Sequence, residues 1–326
     1  EVGHLRLAHV VNEQDGFHVA ATKFEELVEE RTEGKVNIEI FPNASLGDER
    51  TLLEGMQIGT VDMGVITNGP VANFVEEMAV FELPFLFPTP EAAYGVLDGP
   101  IGQELLDKLA DVNLKGLAYA ERGFRNLTNS KRPVTRLEDL DGIKLRVMQN
   151  NVFLDSFKTL GANAVPLPFS ELFTALETKA VDGQENPFNT VLSSKFYEVQ
   201  KHLVLTNHQY NPQSVIFSKK VWDSLNAAEK KIIADSAVEA TKAQREGARA
   251  GVAANNVLAH CNDFGIDVRG RLVRPGKPGR VVIAQDGGRE LRRPVADDRR
   301  RQLDEDGPLL RGEQIGQGDG DDVALH

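Results

Sequence analysis

The sequence predicts an α/β protein whose parallel strands carry helices on both faces of the sheet. Three observations predict it. Strand and helix patterns alternate from residue 4 onward, the alternation restarts near residue 114, and 326 residues at 41% hydrophobic and 26% charged supply enough apolar matter for a real core. Residues 4–11 (HLRLAHVV) read as a strand. Residues 17–33 form an amphipathic helix, with Phe17, Ala20, Ala21, Phe24, Leu27 and Val28 on one stripe. Residues 35–42 are a strand with Val36, Ile38 and Ile40 inward, 48–59 a helix, and 60–67 a buried strand. Residues 81–90 (FELPFLFPTP) are too proline-rich for regular structure, and Thr89-Pro90 starts a helix with proline at its first position.

In the second half, 114–121 is a strand, and 152–161 is a helix closed by Gly161. Between them Ile143, Leu145 and Val147 alternate with Lys144, Arg146 and Met148, which marks another strand. Residues 170–187 are a helix capped by Ser170 and then a strand, and 221–265 are one long or two consecutive helices. Leu52, Leu53, Met56, Val61 and Asp62 are echoed at constant offset by Leu172, Phe173, Leu176, Val181 and Asp182. This fits either shared core needs or two lobes of similar build.

From Arg269 the composition changes. The tail has no Phe, Trp or Tyr, and its basic residues are eleven Arg and one Lys. Disorder is the expectation for such a segment. The bias also fits an out-of-phase reading of a GC-rich gene.

A net charge of −12 argues against nucleic acid and anionic membrane surfaces as partners. The one cysteine, Cys261, excludes an intrachain disulfide and reads as a core helix residue. No stretch approaches a membrane span, so membrane insertion is not expected. No signal peptide is visible, which fits a cytosolic protein or a mature form already trimmed.

Phosphate loops, zinc-protease motifs and nucleophile elbows are missing, and the histidines lack metal-ligand spacing. Residues 316–322 (GQGDGDD) resemble a calcium loop only faintly. No cofactor or metal is expected. The positive signal is a set of arginines and amides at strand ends. Arg122 and Arg125 follow the strand at 114–121, Arg146 ends the next, and Asn186 precedes Pro187. Ligands of open α/β sheets bind beyond the carboxyl ends of strands, and a guanidinium suits a carboxylate because its fork gives two parallel bonds. The bland readings are a solvated Arg146, a surface Arg122 paired with Glu121, and Asn186 as a helix cap.

Taken together, FPNASLGDERTLLEGMQIGTVDM, FELPFLF, GFRNLTNSKRPV, DLDGIKLRVMQN, PFSELFTALETKAVDGQENP and KFYEVQKHL resemble the solute-binding proteins of tripartite ATP-independent periplasmic (TRAP) transporters, the DctP-like family. The resemblance covers about residues 4–268. It implies a two-lobed periplasmic-binding-protein-like fold with a ligand cleft, crossing strands and a long bracing helix. Lobe I is expected at 1–123 plus 212–251, and lobe II at 124–211 plus 252–268. By the same resemblance Arg146 pairs with the ligand carboxylate, Arg125 is a second cationic contact, Asn186 donates to the carboxylate and Phe169 packs on the ligand. His9, Asp48, Thr67 and Asn68 bear on specificity from lobe I. Thr67 stands where sialic-acid members carry an acidic residue, which argues against sialic acid. The expected function is a periplasmic monomer, not an enzyme, that closes on a small organic acid and delivers it to a TRAP membrane permease. The alternatives are an α/β enzyme acting on a carboxylate, with His9 and Asp48 as its candidate acid and base, and a ligand sensor docking on a receptor.

Overall fold

The structure, a computed structural model, describes residues 3–253, 267–273 and 282–284. Its strands are β1 (His4–Ala8), β2 (Asn37–Phe41), β3 (Met63–Thr67), β4 (Leu114–Asn129), β5 (Lys144–Val147), β6 (Asn163–Pro166), β7 (Gly183–Pro187), β8 (His202–Ser218), β9 (Asp267–Val273) and β10 (Val282–Ala284). Its helices are α1 (Gly16–Arg31), α2 (Glu49–Ile58), α3 (Asn68–Val71), α4 (Pro90–Leu97), α5 (Pro100–Lys108), α6 (Asn151–Thr159), α7 (Leu172–Glu177), α8 (Phe188–Ser193), α9 (Lys219–Ser224) and α10 (Ala227–Ala253).

The main path of the sheet runs β2-β1-β3-β8-β4-β7-β5-β6. Parallel strands form each end, and the long antiparallel pair β4 and β8 crosses between them. Two apolar bodies result. One gathers Leu5, Leu7, Phe17, Phe24, Leu52, Met56 and Val65. The other gathers Leu127, Ile143, Leu145, Val147, Phe153 and Phe157, with a neighbouring cluster around Leu172, Leu176 and Phe196. The six apolar residues of the α1 stripe are all buried, and Asp15 caps that helix by accepting from the Phe17 N–H.

The internal echo has a physical basis. Asp62 immediately precedes β3 and accepts from the Arg6 N–H of β1 at 2.8 Å. Asp182 immediately precedes β7 and accepts from the Lys144 N–H of β5 at 2.9 Å. Both donors sit one residue before a register pair, Leu7 with Met63 and Leu145 with Gly183. The same strand-starting aspartate therefore serves each lobe.

The long helix α10 braces the crossing strands. Gln244 Nε2 donates to Glu121 O at 2.6 Å and its Oε1 accepts from Glu121 N at 2.9 Å. Arg245 grips both carboxylate oxygens of Asp98 and also donates to Tyr119 O.

Several expectations are corrected. Arg122 and Arg125 are not at a strand end, because β4 continues to Asn129 and both lie in its middle. Arg122 is not a surface charge paired with Glu121. It is buried, and Glu121 bonds instead to the hydroxyls of Tyr94 and Tyr210. Ser170 caps no helix. It lies in a 3-10 turn, Phe169–Glu171, ahead of α7, whose N-cap makes no side-chain bond. Residues 219–253 form two helices, α9 and α10, which is one of the two forms expected for 221–265, and residues 254–265 lie outside the described residues. Strands β9 and β10 fall within or across the stretch expected to lack regular structure. The rest of the tail, Cys261 and residues 316–322 lie outside the described residues.

Candidate functional site

Arg146 is delivered by β5, whose alternation buries Leu145 and Val147 on the core side. The residue is 2% exposed. Its Nε donates to Leu167 O at 3.0 Å, and its Nη1 has no partner among the described residues. Burial lowers its pKa, and the nearby Arg125 guanidinium adds to the shift. An anion at the unpaired nitrogen would relieve both effects.

The cavity at this face is lined by Glu49, Pro70, Arg146, Met148, Gln149, Leu167, Pro168 and Phe169. The space open to the centre of a water-sized sphere is about 10 Å³, which is close to the least that holds one water. Residues of both lobes line it. Beside it, sharing Pro70 and Gln149, lies a groove of about 490 Å³.

Glu49 sits in the first turn of α2. Its Oε1 accepts from the Thr67 N–H at 2.7 Å, and burial raises its pKa against the pull of Arg122, Thr67 and Arg146. Arg122 enters from a bulge in β4, between the register pairs Glu121–Pro212 and Gly123–Asn211. A bulge re-aims the extra residue, and Gly123 at φ +106° supplies the left-handed backbone beside it. The Arg122 guanidinium stands 4.5 Å from the Phe17 ring centre and 5.1 Å from that of Phe169, one ring from each lobe. Its Nη1 donates to Thr67 Oγ1 at 3.1 Å, and its Nε has no partner among the described residues.

The sequence-expected residues divide between two roles. Arg146 and Phe169 line the cavity, and Thr67 joins it through Glu49 and Arg122. Arg125 is committed elsewhere. Its Nε and Nη2 donate to the Glu185 carboxylate at 2.5 and 2.8 Å, Nη2 also to Glu185 O, and Nη1 to Asn211 Oδ1. His208 Nε2 lies 3.0 Å from the same carboxylate. Asn186 donates to Gln184 Oε1 at 2.7 Å. Asn68 donates to Met78 O and to Glu82 Oε1. Asp48 caps α2, accepting from the Thr51 N–H at 2.8 Å. His9 is fully buried 3.1 Å from His18 Nδ1, and burial together with His18 holds its pKa down at about 3.

Glu49 was not singled out from the sequence, and Arg122 was noted among the strand arginines but weighed as a surface charge. A signal existed for each. Asp48 has the spacing of a helix cap, which spends its carboxylate on the backbone and leaves the next acidic residue, Glu49, to face inward. Arg122 precedes a glycine inside a strand, a mark of a bulge.

Comparison with known proteins fits this architecture. The family model for bacterial extracellular solute-binding protein family 7 (DctP) matches residues 7–268. The 2,3-diketo-L-gulonate-binding periplasmic protein YiaO of Escherichia coli is 39% identical over 242 residues, 74% of each chain. The sugar acid binding protein DctPAm of Advenella mimigardefordensis, solved in complex with galactonate, is 43% identical. It superposes with a TM-score of 0.79 over 81% of this chain and 85% of its own. A TRAP periplasmic solute-binding protein of Polaromonas, bound to D-erythronate, is 43% identical with a TM-score of 0.79 over 82% of this chain and 88% of its own. The two lobes, the crossing strands and the cleft-facing arginine thus belong to a binding protein rather than an enzyme: the chain is a member of bacterial extracellular solute-binding protein family 7, which captures small organic acids for TRAP permeases.

Proposed function

We propose that the solute is a sugar acid, a polyhydroxylated monocarboxylate whose carboxylate lies on the unpaired side of Arg146. The observation that carries this is Nη1 of a buried guanidinium left without a partner among the described residues at the edge of a cavity. An unsatisfied buried donor costs about 1–3 kcal/mol, and a carboxylate removes that cost with a charge-assisted bond. Phe169 offers an apolar face to the carbon chain. Glu49 accepts from hydroxyls and repels a second carboxylate, which disfavours dicarboxylates. Arg122 Nε is the second available cationic donor, and Thr67 fixes its orientation. Arg125, Asn186, Asn68, Asp48 and His9 act behind these groups, holding strands, helix starts and the hinge. The sugar acids bound by the relatives described above support the same class.

The protein acts as a monomer in the periplasm and hands its solute to TRAP permease subunits. The lobe boundaries fall at residues 123/124 and 211/212, supported by the β4 bulge beside Gly123 and by Pro212 on β8. A thermal-shift panel tests the solute class, because a ligand at about 100 times its Kd adds about 2.7 kcal/mol of stability. D-galactonate, D-erythronate or D-glucuronate should raise Tm while succinate leaves it unchanged. A larger shift with succinate than with any sugar acid would refute the assignment.

A further inference from the structure

Besides the crossing strands, where Gln209 Nε2 donates to Phe81 O at 2.9 Å, the two lobes are tied to each other at two places, one sharing no lining residue with the Arg146 cavity and one at its rim, where Gln149 lines it. After β1, Asn12 Nδ2 donates to Ser193 O at 2.7 Å, and Ser193 Oγ donates to Asp15 Oδ2 at 3.1 Å. After β3, Asn73 Nδ2 donates to Gln149 O at 2.6 Å, and Asn150 Nδ2 donates to Gly69 O at 3.0 Å. Val10, Val11, Phe17, Val71 and Val75 root one side of these bonds in the first core. Met148 and Val191 root the other side in the second-lobe clusters.

Two of the tying residues are helix caps. Asp15 Oδ1 accepts from the Phe17 N–H of α1, and Asn150 Oδ1 accepts from the Val152 N–H of α6. Each uses one side-chain atom for its own helix and the other for the opposite lobe. The bonds therefore join rigid helix starts rather than loose loops. Gly69 allows the close approach, since a Cβ there would stand 2.9 Å from Met148 Cε.

We infer that Asn12, Asp15 and Ser193 at one place, and Asn73 and Asn150 at the other, form two latches that position the lobes for capture without touching the solute. The inference rests on solute capture by closure of this same cleft. None of these side chains is Arg146, Arg122 or Glu49, so the latches favour the closed form by the same factor whatever acid is bound. They set dissociation rate and overall affinity, while the cavity sets selectivity.

The test uses Ser193→Ala and Asn73→Ala, which spare both helix caps, with calorimetry and stopped-flow dissociation for D-galactonate, D-erythronate and D-glucuronate. Each single variant should bind roughly 2- to 13-fold more weakly, and the double variant roughly 5- to 160-fold, from the net worth of neutral hydrogen bonds. The factor should be equal across the acids and appear as faster dissociation. Tm of the ligand-free protein should be unchanged, and Ser193→Thr should restore affinity. Unchanged affinity, or losses that differ several-fold between acids, would overturn the latches. A second readout needs no solute. Spin labels at positions 54 and 155, with Cys261 replaced by serine, report the closed fraction of the ligand-free protein. The double variant should lower that fraction. If none of the three acids binds, the sugar-acid assignment fails on its own, and an unchanged closed fraction then overturns the latches independently.

Discussion

Replacing Arg146 with methionine should remove most of the affinity while leaving the ligand-free protein as stable as before, or more so. The residue is 2% exposed, and among the described residues one of its nitrogens has no partner and its one hydrogen bond runs from Nε to Leu167 O. Deleting the side chain removes an unsatisfied donor worth about 1–3 kcal/mol and gives up a bond worth about 1 kcal/mol. Methionine refills much of the space and adapts to irregular gaps. The balance is a gain of about 0–2 kcal/mol in unfolding free energy. Affinity moves the other way. Losing the partner of a desolvated charge costs about 2–5 kcal/mol, which is roughly a 30- to several-thousand-fold rise in Kd. Urea denaturation without ligand and calorimetry with D-galactonate measure the two quantities separately. A variant that loses more than about 2 kcal/mol of stability and keeps its affinity would refute the reasoning, because Arg146 would then be a structural ion rather than a binding one.

Arg125→Met should do the opposite. It strands Glu185 in the interior and should cost about 3–5 kcal/mol in denaturant titrations, and wild-type stability would contradict that role. Glu49→Gln should weaken sugar-acid binding roughly 10- to 150-fold and narrow the gap to succinate, as read by calorimetry. Glu82 is held near pKa 7 by burial, against the bond it accepts from Asn68 and the charge of Arg125, while an ordinary glutamate titrates near 4.5. Between those values the folded chain holds a proton the unfolded chain has released, so stability should fall as pH rises from about 5 to 7. Glu82→Gln should flatten that slope by up to about 1.4 kcal/mol per pH unit, measured by urea titrations at several pH values, and an unchanged slope would contradict it.

The legible parts of the fold were those where one face meets an apolar core. The α1 stripe was read residue for residue because it buries a single apolar face, and the β5 alternation located its strand although Arg146 is buried along with Leu145 and Val147. The second half of β4 and all of β8 were not readable in this way. Asn126, Thr128, Asn129, Gln209, Asn211, Gln213 and Ser214 are buried at the crossing, and several of their side chains bond to other polar groups rather than to a core. Pro212 inside β8 would ordinarily argue against a central strand, and it is accommodated beside the bulge at Arg122. Polar crossing strands of this kind carry no hydrophobic period.

The site was legible to the same degree. Arg146 stands at the end of an alternating strand, so its placement followed from local pattern. Arg125 has the same residue type and a similar local setting, yet its role depends on Glu185 sixty positions away. No local pattern distinguishes a guanidinium that is already paired from one that is not. Glu49 was hidden by its neighbour, since Asp48 takes the cap and the pair reads as one acidic helix start.

The most direct measurement compares one sugar acid with its reduced, uncharged alcohol on the wild-type protein, for example D-galactonate against galactitol. The two share nearly every hydroxyl and differ at the group assigned to Arg146. The expected result is a Kd at least about 30-fold higher for the alcohol. Equal affinity would mean that the buried guanidinium does not hold the carboxylate.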